Sequence, residues 1–184
     1  QDDRLEIEFV GHGRDQQTWS LDYKVLYGDP SSPSVWGLLD AALKETWMHP
    51  KGLEMPVRCA CIDSGGHHTN AVYTFCKPRE GMRVFAIKGM GGEGKPQVGK
   101  PSKNNRQGVK LFPIGVDGIK ELVYSRLKIR SPGPGYCSFP EGRGDEYFAQ
   151  LTAEKMVTRF HKGYKRREWQ QWRPRNEALD CRVY

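Results

Sequence analysis

Asp63 is the acidic residue of this sequence whose position most favours chemistry. It follows the apolar run 57–62, which predicts a buried strand, and it precedes Ser64, Gly65 and Gly66. In open α/β sheets, ligands bind beyond the carboxyl ends of the strands, and glycines let a substrate backbone or a metal ion approach closely. The position alone fits an acidic metal ligand and a turn-forming aspartate equally well.

Glu177 and Asp180 form a second acidic pair near the end of the sequence. On the helix predicted over 174–184, their spacing places both carboxylates on one face, with Leu179 and Val183 toward the core. Carboxylate oxygens are hard ligands that suit Mg²⁺ or Mn²⁺. Two such ions about 3.5–4 Å apart can activate a water molecule and hold the leaving oxygen of a phosphodiester. For an arbitrary sequence, a solvated helix edge is the commoner explanation.

The histidines and cysteines do not indicate a zinc site. His67 and His68 are adjacent, so their rings would diverge, and the role that remains for one of them is hydrogen bonding or general-base catalysis near Asp63. The five cysteines form no Cys-x-x-Cys pair, which argues against both a disulfide framework and a cysteine zinc site. Cys59 and Cys61 lie in an apolar run and are predicted to pack in the core.

Two segments are strongly basic. Residues 94–101 nearly match a phosphate-binding loop, but Pro101 replaces the Ser or Thr that would ligate Mg²⁺, which argues against a nucleotide hydrolase. We interpret 94–101 as a flexible basic loop within the long connection 89–108, and we favour contact of its lysines with DNA phosphates over an ordinary solvated loop. The candidate DNA-binding residues are Lys88, at the end of the preceding predicted strand, and Lys95, Lys100, Lys103 and Arg106 in the connection. The segment 162–175 combines basic residues with Tyr164, Trp169 and Trp172, which suits a nucleic-acid surface with the tryptophans packed beneath the charges.

Composition agrees with a polyanionic partner. The 184 residues include 29 Lys and Arg against 22 Asp and Glu, for a formal net charge of +7, which favours nucleic acid or an acidic membrane surface. The length suits one domain with its own core. No apolar run approaches the roughly 18 residues that a membrane span needs, and no signal peptide is evident, so we expect no membrane association.

The elements that must position these residues indicate an α/β fold. Apolar residues alternate in two segments that predict an antiparallel pair of strands, and they recur at helical spacing in others. Predicted strands cover 5–13, 18–27, 57–62, 83–88 and 111–115, the third of them central and buried on both faces. Predicted helices cover 34 to about 48, 69–76, 118–127 after an Asp117 cap, about 152–161 after a Thr152 cap, and 174–184.

Several segments resemble one family in combination. They are Gln1-Asp-Asp-Arg-Leu-Glu, Trp19-x-x-Asp22-Tyr, Gly28-Asp29-Pro, Ile62-Asp63-Ser-Gly-Gly, Val72-Tyr73-x-Phe-Cys, Ile87-Lys88-Gly, Gly115-Val-Asp117-x-x-Lys120, Gln150-Leu-Thr-x-Glu154 and Asn176-Glu-Ala-Leu-Asp-Cys-x-Val-Tyr184. Together they run almost from end to end. The chain therefore resembles the C-terminal nuclease domain of lambda-type (GpA family) phage terminase large subunits.

This resemblance implies an RNase H-like fold, with a mixed central sheet flanked by helices. It implies an endonuclease that cleaves double-stranded concatemeric phage DNA during genome packaging, with Mg²⁺ or Mn²⁺ as cofactor, two ions being expected. Asp63 and Asp180 match metal-binding positions of the family and are the expected ligands. Glu177 and His67 complete the expected catalytic set in supporting roles. The family's first acid and its strand would precede Gln1.

The resemblance also implies an organisation and partners. We expect residues 1–184 to form one nuclease domain, without the family's packaging ATPase domain, so that this chain alone does not translocate DNA. Expected partners are double-stranded DNA, the terminase small subunit and the portal, in the host bacterial cytoplasm. The alternatives are a non-catalytic DNA-binding module of the packaging machinery and, more remotely, a nucleotide hydrolase using Lys100.

Overall fold

The computed structural model describes residues 2–184, apart from the side chain of His161, so Gln1 of the first matched segment lies outside it. The described chain is a mixture of helices and strands, which confirms the predicted α/β class. The strands are β1 (Arg4–His12), β2 (Thr18–Tyr27), β3 (Thr46–Met48), β4 (Glu54–Pro56), β5 (Ala60–Asp63), β6 (Val84–Met90), β7 (Leu111–Gly115), β8 (Cys137–Ser138), β9 (Glu154–His161) and β10 (Tyr164–Gln171). The helices are α1 (Pro33–Ala42), α2 (Thr69–Cys76), α3 (Val116–Arg126), α4 (Asp145–Leu151) and α5 (Glu177–Val183), with a 3₁₀ helix over Lys77–Met82.

The elements divide into two compact units. Unit 1 comprises residues 2–5, Val25–Gly89 and Val98–Ile114. Unit 2 comprises Glu6–Lys24, Met90–Gln97 and Gly115–Tyr184. None of the helices in the described range has the length and the apolar character that a membrane span requires.

The first two strands form the predicted hairpin. β1 and β2 are neighbours in a three-stranded sheet whose order is β1-β2-β8. The turn between them is closed by backbone hydrogen bonds from Gly13 N–H to the Gln17 carbonyl and from Gln16 N–H to the Gly13 carbonyl, at 2.9 and 3.2 Å. Thr18 begins β2 beside Cys137 of the parallel strand β8. The alternating apolar pattern therefore identified both strands.

Helix α1 of unit 1 begins where a helix was predicted. Ser32 caps it by accepting a hydrogen bond from the Ser34 N–H, and Pro33 occupies the first turn, where no backbone donor is needed. Its buried face contains Val35 and Trp36, and the Trp36 indole N–H donates to the Pro30 carbonyl at 2.8 Å. This face packs α1 into the core of unit 1.

The prediction that this helix continues to about residue 48 was wrong. The helix ends at Ala42, and Thr46–Met48 instead forms β3, which pairs antiparallel with β4. A turn with Gly52 at φ 75° joins the two strands, a conformation that glycine adopts without strain. β-branched and aromatic residues at 46–47 favour a strand once a partner strand is available. The helical spacing of Thr46 with the preceding apolar residues was therefore coincidental.

The sheet that carries Asp63 has the order β5-β6-β7, with β5 parallel to β6 and Asp63 in register with Ile87. The prediction that β5 is a central strand was wrong, since in residues 2–184 it lies at the edge of this sheet. Cys59 and Cys61 are exposed rather than buried in the core. The strand with the buried apolar side chains is β6, where Ala86 and Ile87 are 0% and 1% exposed.

An ion pair links α1 to the 3₁₀ helix in unit 1. The Arg79 guanidinium donates from Nε to Asp40 Oδ1 at 2.8 Å, and Lys44 lies 2.7 Å from Asp40 Oδ2. Hydrogen bonds from Lys44 and Arg79 hold the pKa of the Asp40 carboxyl below its ordinary value of 3.8. A lowered folded-state pKa stabilises the fold above that ordinary value, and the stabilisation is lost as the pH falls through the lowered pKa.

We expect Asp40→Asn to lower the Tm at neutral pH by a small amount, because the substitution removes the charge that Lys44 and Arg79 contact. The difference from the wild type should shrink in acid, where the Asp40 carboxyl becomes protonated and neutral like asparagine. Thermal melts at neutral and acidic pH, with Asp15→Asn as an exposed control, measure this. A difference that does not change with pH would contradict the linkage.

The core of unit 2 is built around helices α4 and α5. Tyr147 and Leu151 of α4 pack with Ala178, Leu179 and Val183 of α5 in one buried cluster. The Tyr147 ring also meets the Tyr23 ring edge-on, with centroids 5.2 Å apart. The predicted C-terminal helix is therefore confirmed, with Leu179 and Val183 facing the core as its spacing indicated.

Two predicted helix caps in unit 2 were wrong. Thr152 ends α4 rather than beginning a new helix, and the segment after it forms strand β9. Helix α3 begins after Gly115, so Asp117 lies in its first turn, where its carboxylate accepts a hydrogen bond from the Gly92 N–H at 2.9 Å. The helical prediction for β9 failed because its pairing with β10 comes from residues further along the chain.

The basic segment after β6 is tied to β7 rather than being structureless. In unit 1, Val98 bridges Ile114 and Ser102 bridges Leu111, both antiparallel. In unit 2, a Cβ at Gly115 would lie 2.4 Å from the Pro96 carbonyl oxygen, so only glycine allows this approach. Residues 98–102 therefore follow a defined path beside β7, which corrects the interpretation of this part as a flexible loop.

Candidate active site

Asp63 is the last residue of β5 and its turn is tightly held. The Ser64 N–H and Ser64 Oγ both donate to the Ile87 carbonyl of β6, at 2.9 and 2.8 Å. Ser64 is only 3% exposed, so these bonds are shielded from water. The Gly65 N–H then donates to Asp63 Oδ1 at 3.0 Å. The carboxylate is thereby oriented by the backbone that follows it, at the strand end where the sequence placed it.

Gly65 leaves little space beside the Asp63 carboxylate. A Cβ on Gly65 would lie 3.2 Å from Asp63 Oδ1 and 3.3 Å from Oδ2, whereas a Cβ on Gly66 would meet nothing within 4 Å. Burial raises the pKa of Asp63, while hydrogen bonds from the Gly65 and Ser64 backbone and the Lys88 charge act in the opposite direction. A cation would oppose the same effect of burial, because it favours the charged carboxylate.

His67 and His68 face Asp2 at the start of the described chain. His68 Nε2 and His67 Nδ1 lie 3.3 and 3.6 Å from Asp2 Oδ1, and hydrogen bonds from His68 and His67 lower the pKa of that carboxyl. The His67 side chain is 88% exposed. Both histidines also line an open cleft with Trp36 and Arg79. A supporting role for His67 in catalysis stays a prediction.

Glu177 and Asp180 lie on α5 in unit 2, as predicted. Glu177 Oε2 accepts a hydrogen bond from Arg175 Nε at 3.2 Å, and Asp180 is half-buried. Their helix is fixed by the buried residues Ala178 and Leu179, both 0% exposed. The α5 carboxylates are thus carried by a helix whose opposite side is core.

A third group of acids was missed by the sequence analysis. Glu6 and Glu8 of β1 have side chains only 4% and 0% exposed. Arg175 pairs with Glu6, and Arg182 lies 3.4 Å from Glu8, which also accepts a hydrogen bond from the Tyr147 hydroxyl at 2.8 Å. Burial raises the pKa of Glu8. The alternation in β1 predicted a strand and gave these glutamates no role, and arginines from distant positions cover them.

Three residues quoted for the family resemblance form one buried network in unit 2. Lys120 Nζ of α3 lies 2.8 and 2.7 Å from the two carboxylate oxygens of Glu154, which begins β9. Asn176 Nδ2, at the start of α5, donates to Glu154 Oε1 at 2.9 Å. Side-chain exposures of 12% for Lys120 and 6% for Glu154 make this a structural ion pair. The sequence had assigned these residues no role.

The candidate DNA-binding residues of the basic segment are exposed in both units. Lys88, Lys100, Lys103 and Arg106 are exposed in unit 1, and Lys95 is exposed in unit 2. Residues 98–101 run alongside β7 in unit 1, and no helix follows 94–101 before Val116, which is unlike the strand-loop-helix arrangement of a phosphate-binding loop. This agrees with the interpretation against a nucleotide site.

The described residues offer partial support for a metal ion. Across 2–184, no three His, Cys, Asp or Glu side chains are gathered as a metal-binding group. Mg²⁺ commonly binds through one or two carboxylates, with water and substrate phosphates completing its ligands. Asp63 has the donor chemistry for this, since its oxygens are oriented by the backbone beside a glycine. The residues fit a metal held largely by substrate and water.

Known proteins similar to this chain agree with the resemblance. The family model for the terminase large subunit gpA, endonuclease domain, matches residues 1–184. The chain is 35% identical to the terminase large subunit of Escherichia phage lambda over 99% of its length, and 32% identical to that of Enterobacteria phage P21 over 100%. It spans 30% of each relative's own length. No solved structure matches. The chain therefore belongs to the terminase large subunit gpA endonuclease domain family.

Proposed function

We propose that this chain is a metal-dependent endonuclease that cleaves double-stranded concatemeric DNA during phage genome packaging. The observation that carries the proposal is Asp63, held at a strand end by Ser64 and Gly65 in a chain matched along its whole length by an endonuclease family. The proposed fold is RNase H-like. The two relatives are terminase large subunits, which supports packaging as the setting.

Asp63 and Asp180 are the proposed metal ligands, and Glu177 and His67 the supporting catalytic residues. The cofactor is Mg²⁺ or Mn²⁺, with two ions, which when bound would supply activation of water and charge stabilisation. Gly65 N–H orients the Asp63 carboxylate, and Arg175 orients Glu177. Lys88 on β6 would hold a DNA phosphate, as would the exposed basic residues of the segment after it. Those residues are Lys95, Lys100, Lys103 and Arg106.

The proposal extends to the setting in which the chain acts. Residues 1–184 would function as one nuclease domain, on DNA delivered in the host bacterial cytoplasm. The terminase small subunit and the portal would be its protein partners. These statements rest on membership of the family, because the chain spans 30% of each relative's length.

The Gly65 position gives a sharp test of the site. We expect Gly65→Ala to slow cleavage about tenfold to 100-fold, because its Cβ would displace the Asp63 carboxylate from its present position. The neighbour that must move is a side-chain end, so the Tm should change little. Gly66→Ala is the matched control, since its Cβ meets nothing within 4 Å. Initial cleavage rates for both variants measure the effect, and equal rates would contradict the assignment of Asp63.

Sulfur-substituted DNA tests the metal chemistry directly. Replacing a non-bridging phosphate oxygen by sulfur weakens contact with hard Mg²⁺ more than with the softer Mn²⁺ or Cd²⁺. We therefore expect duplexes made with phosphorothioate linkages to be cut poorly in Mg²⁺ and better in Mn²⁺ or Cd²⁺. The ratio between normal and substituted DNA is the measurement. A ratio that is the same for all three metals would refute contact between the metal and the phosphate.

A non-catalytic DNA-binding module is the second candidate. Two observations favour it: no three metal-binding side chains lie together among the described residues, and the chain has a formal charge of +7. This module would bind DNA in a salt-sensitive manner, with or without a chelator, and would break no strands. Strand breakage that requires metal decides between the two.

A further inference from the structure

Strands β9 and β10 form a long hairpin, residues 154–171, here called the arm. Their register pairs His161 with Tyr164 at the tip and Glu154 with Gln171 at the base. The two turn residues, Lys162 and Gly163, have φ of 50° and 83°. Such two-residue turns match the natural twist of a hairpin and give it a narrow end. In the described chain the arm is a two-stranded sheet.

One face of the arm is anchored to helix α3. Trp169 stacks on Tyr124 with ring centroids 5.0 Å apart, and its indole N–H donates to the Asp117 carbonyl at 3.3 Å. On the same face, Arg167 lies 3.0 Å from Glu121, and Glu154 forms the buried pair already described. These contacts hold the base of the arm on unit 2. The prediction that the tryptophans pack beneath the charges is confirmed for Trp169. It was wrong for Trp172, which is 52% exposed.

The other face and the tip are exposed and basic. By the strand register, Lys155, Arg159 and Arg166 share the face opposite Trp169, and all three are exposed. The arm has six Lys and Arg against two Glu, so it contributes +4 to the formal charge of +7. One of those glutamates is buried against Lys120, and the other, Glu168, lies on the basic face 2.7 Å from Arg159, so the face keeps a net positive charge.

Two aromatic rings, one on each face by the strand register, are exposed near the tip of the arm. Phe160 is 69% exposed and Tyr164 is 80% exposed, close to the Lys162 turn. Large aromatic side chains next to positive charges suit a partner that offers both phosphates and base or sugar surfaces. A two-stranded β ribbon is narrow enough to enter the major groove of B-form DNA, which is about 12 Å wide.

We propose that the arm is a duplex-DNA clamp, in which its exposed basic face contacts phosphates and its aromatic tip enters a groove. The choice of DNA as the polyanion rests on the proposed function. The geometry of the arm itself does not depend on the metal ligands. The arm therefore supplies affinity for the duplex separately from the residues that cleave it.

A charge-removal variant tests the basic face. Lys155→Gln, Arg159→Gln and Arg166→Gln together remove three exposed positive charges from the basic face of the arm. The matched control removes three from elsewhere, through Lys51→Gln, Lys128→Gln and Arg130→Gln. Affinity for a fluorescent duplex is measured over a salt series in EDTA, so that no cleavage occurs. Each lost phosphate contact lowers the slope of log affinity against log salt concentration by about 0.9. We therefore expect the arm variant to reduce the slope by about 2–3 and the control variant to change it by less than about 1.

A tip variant tests the aromatic contact independently. Tyr164→Ala should weaken duplex binding about tenfold without changing the salt slope, because it removes no charge. Tyr27→Ala is the control, since Tyr27 is 71% exposed and lies outside the arm. Thermal melts confirm that each variant is folded.

The outcomes separate the clamp from the nuclease. Absence of duplex binding by the wild type, or equal slopes for the arm and control variants, would overturn the clamp. Displacement of the duplex by polyglutamate at equal charge concentration would also overturn the clamp, because the arm would then bind any polyanion. Arm-dependent binding by a protein that never breaks DNA would support the clamp and refute the proposed endonuclease.

Discussion

Asp63→Asn and Asp180→Asn are each expected to abolish DNA cleavage, by about 10³-fold or more, while the protein stays folded. Asparagine keeps the shape of the side chain, and its amide oxygen can still accept the Gly65 N–H at position 63. It lacks the negative charge that a divalent metal requires. A 10³-fold loss corresponds to about 4 kcal/mol of transition-state stabilisation, which is within what a bound metal supplies.

Initial rates of plasmid cleavage in Mn²⁺ measure these variants, with Asp15→Asn as the control. Asp15 is exposed in the first hairpin turn, so its substitution changes the net charge equally without touching the site. Duplex affinity in EDTA should be unchanged or slightly higher in all three variants, because each removes one negative charge. Full cleavage by either site variant would exclude that residue as a metal ligand.

Lys120→Met is expected to cause the largest loss of stability among the substitutions considered. It leaves the Glu154 carboxylate buried, with Asn176 as its remaining hydrogen-bond donor in the network. Removing one partner of a buried pair costs about 3–5 kcal/mol. At about 2–4 °C per kcal/mol for a chain of this size, the Tm should fall by about 10 °C.

The double variant Lys120→Met with Glu154→Gln separates the ion pair from simple packing. Glutamine is neutral and can still accept from Asn176, so we expect the second substitution to restore most of the lost stability. The comparison is made by chemical denaturation of the wild type, both single variants and the double variant. A double variant that is less stable than Lys120→Met alone would contradict a penalty from an uncompensated charge.

The parts of the structure that could be predicted from the sequence have local signals. Helix α2 was predicted over 69–76 and is observed over Thr69–Cys76. Both ends have local signals, since the helix begins after a glycine turn and ends before Pro78. Asp63 was placed correctly at a strand end, since an apolar run followed by Ser-Gly-Gly marks both the strand and the turn. These features depend on neighbours within a few residues.

The features that could not be predicted depend on distant partners. Strand β9 was read as a helix, because only the later strand β10 completes its hydrogen bonds. The burial of Glu6 and Glu8 could not be inferred, because their cover includes Arg175 and Arg182, near the other end of the chain. The edge position of β5 likewise depends on which strands pair with it. The hydrophobic periodicity within each segment contains no information about such long-range contacts.

The central claim is that this chain breaks DNA by means of a bound divalent metal, and supercoiled plasmid tests it most directly. Wild-type protein and Asp63→Asn are incubated side by side with plasmid in Mg²⁺, Mn²⁺ or EDTA, and the products are separated on a gel. We predict nicked or linear plasmid in metal with the wild type, and intact plasmid in EDTA and with the variant. Cleavage that persists in EDTA, or intact plasmid in every lane, would contradict the claim.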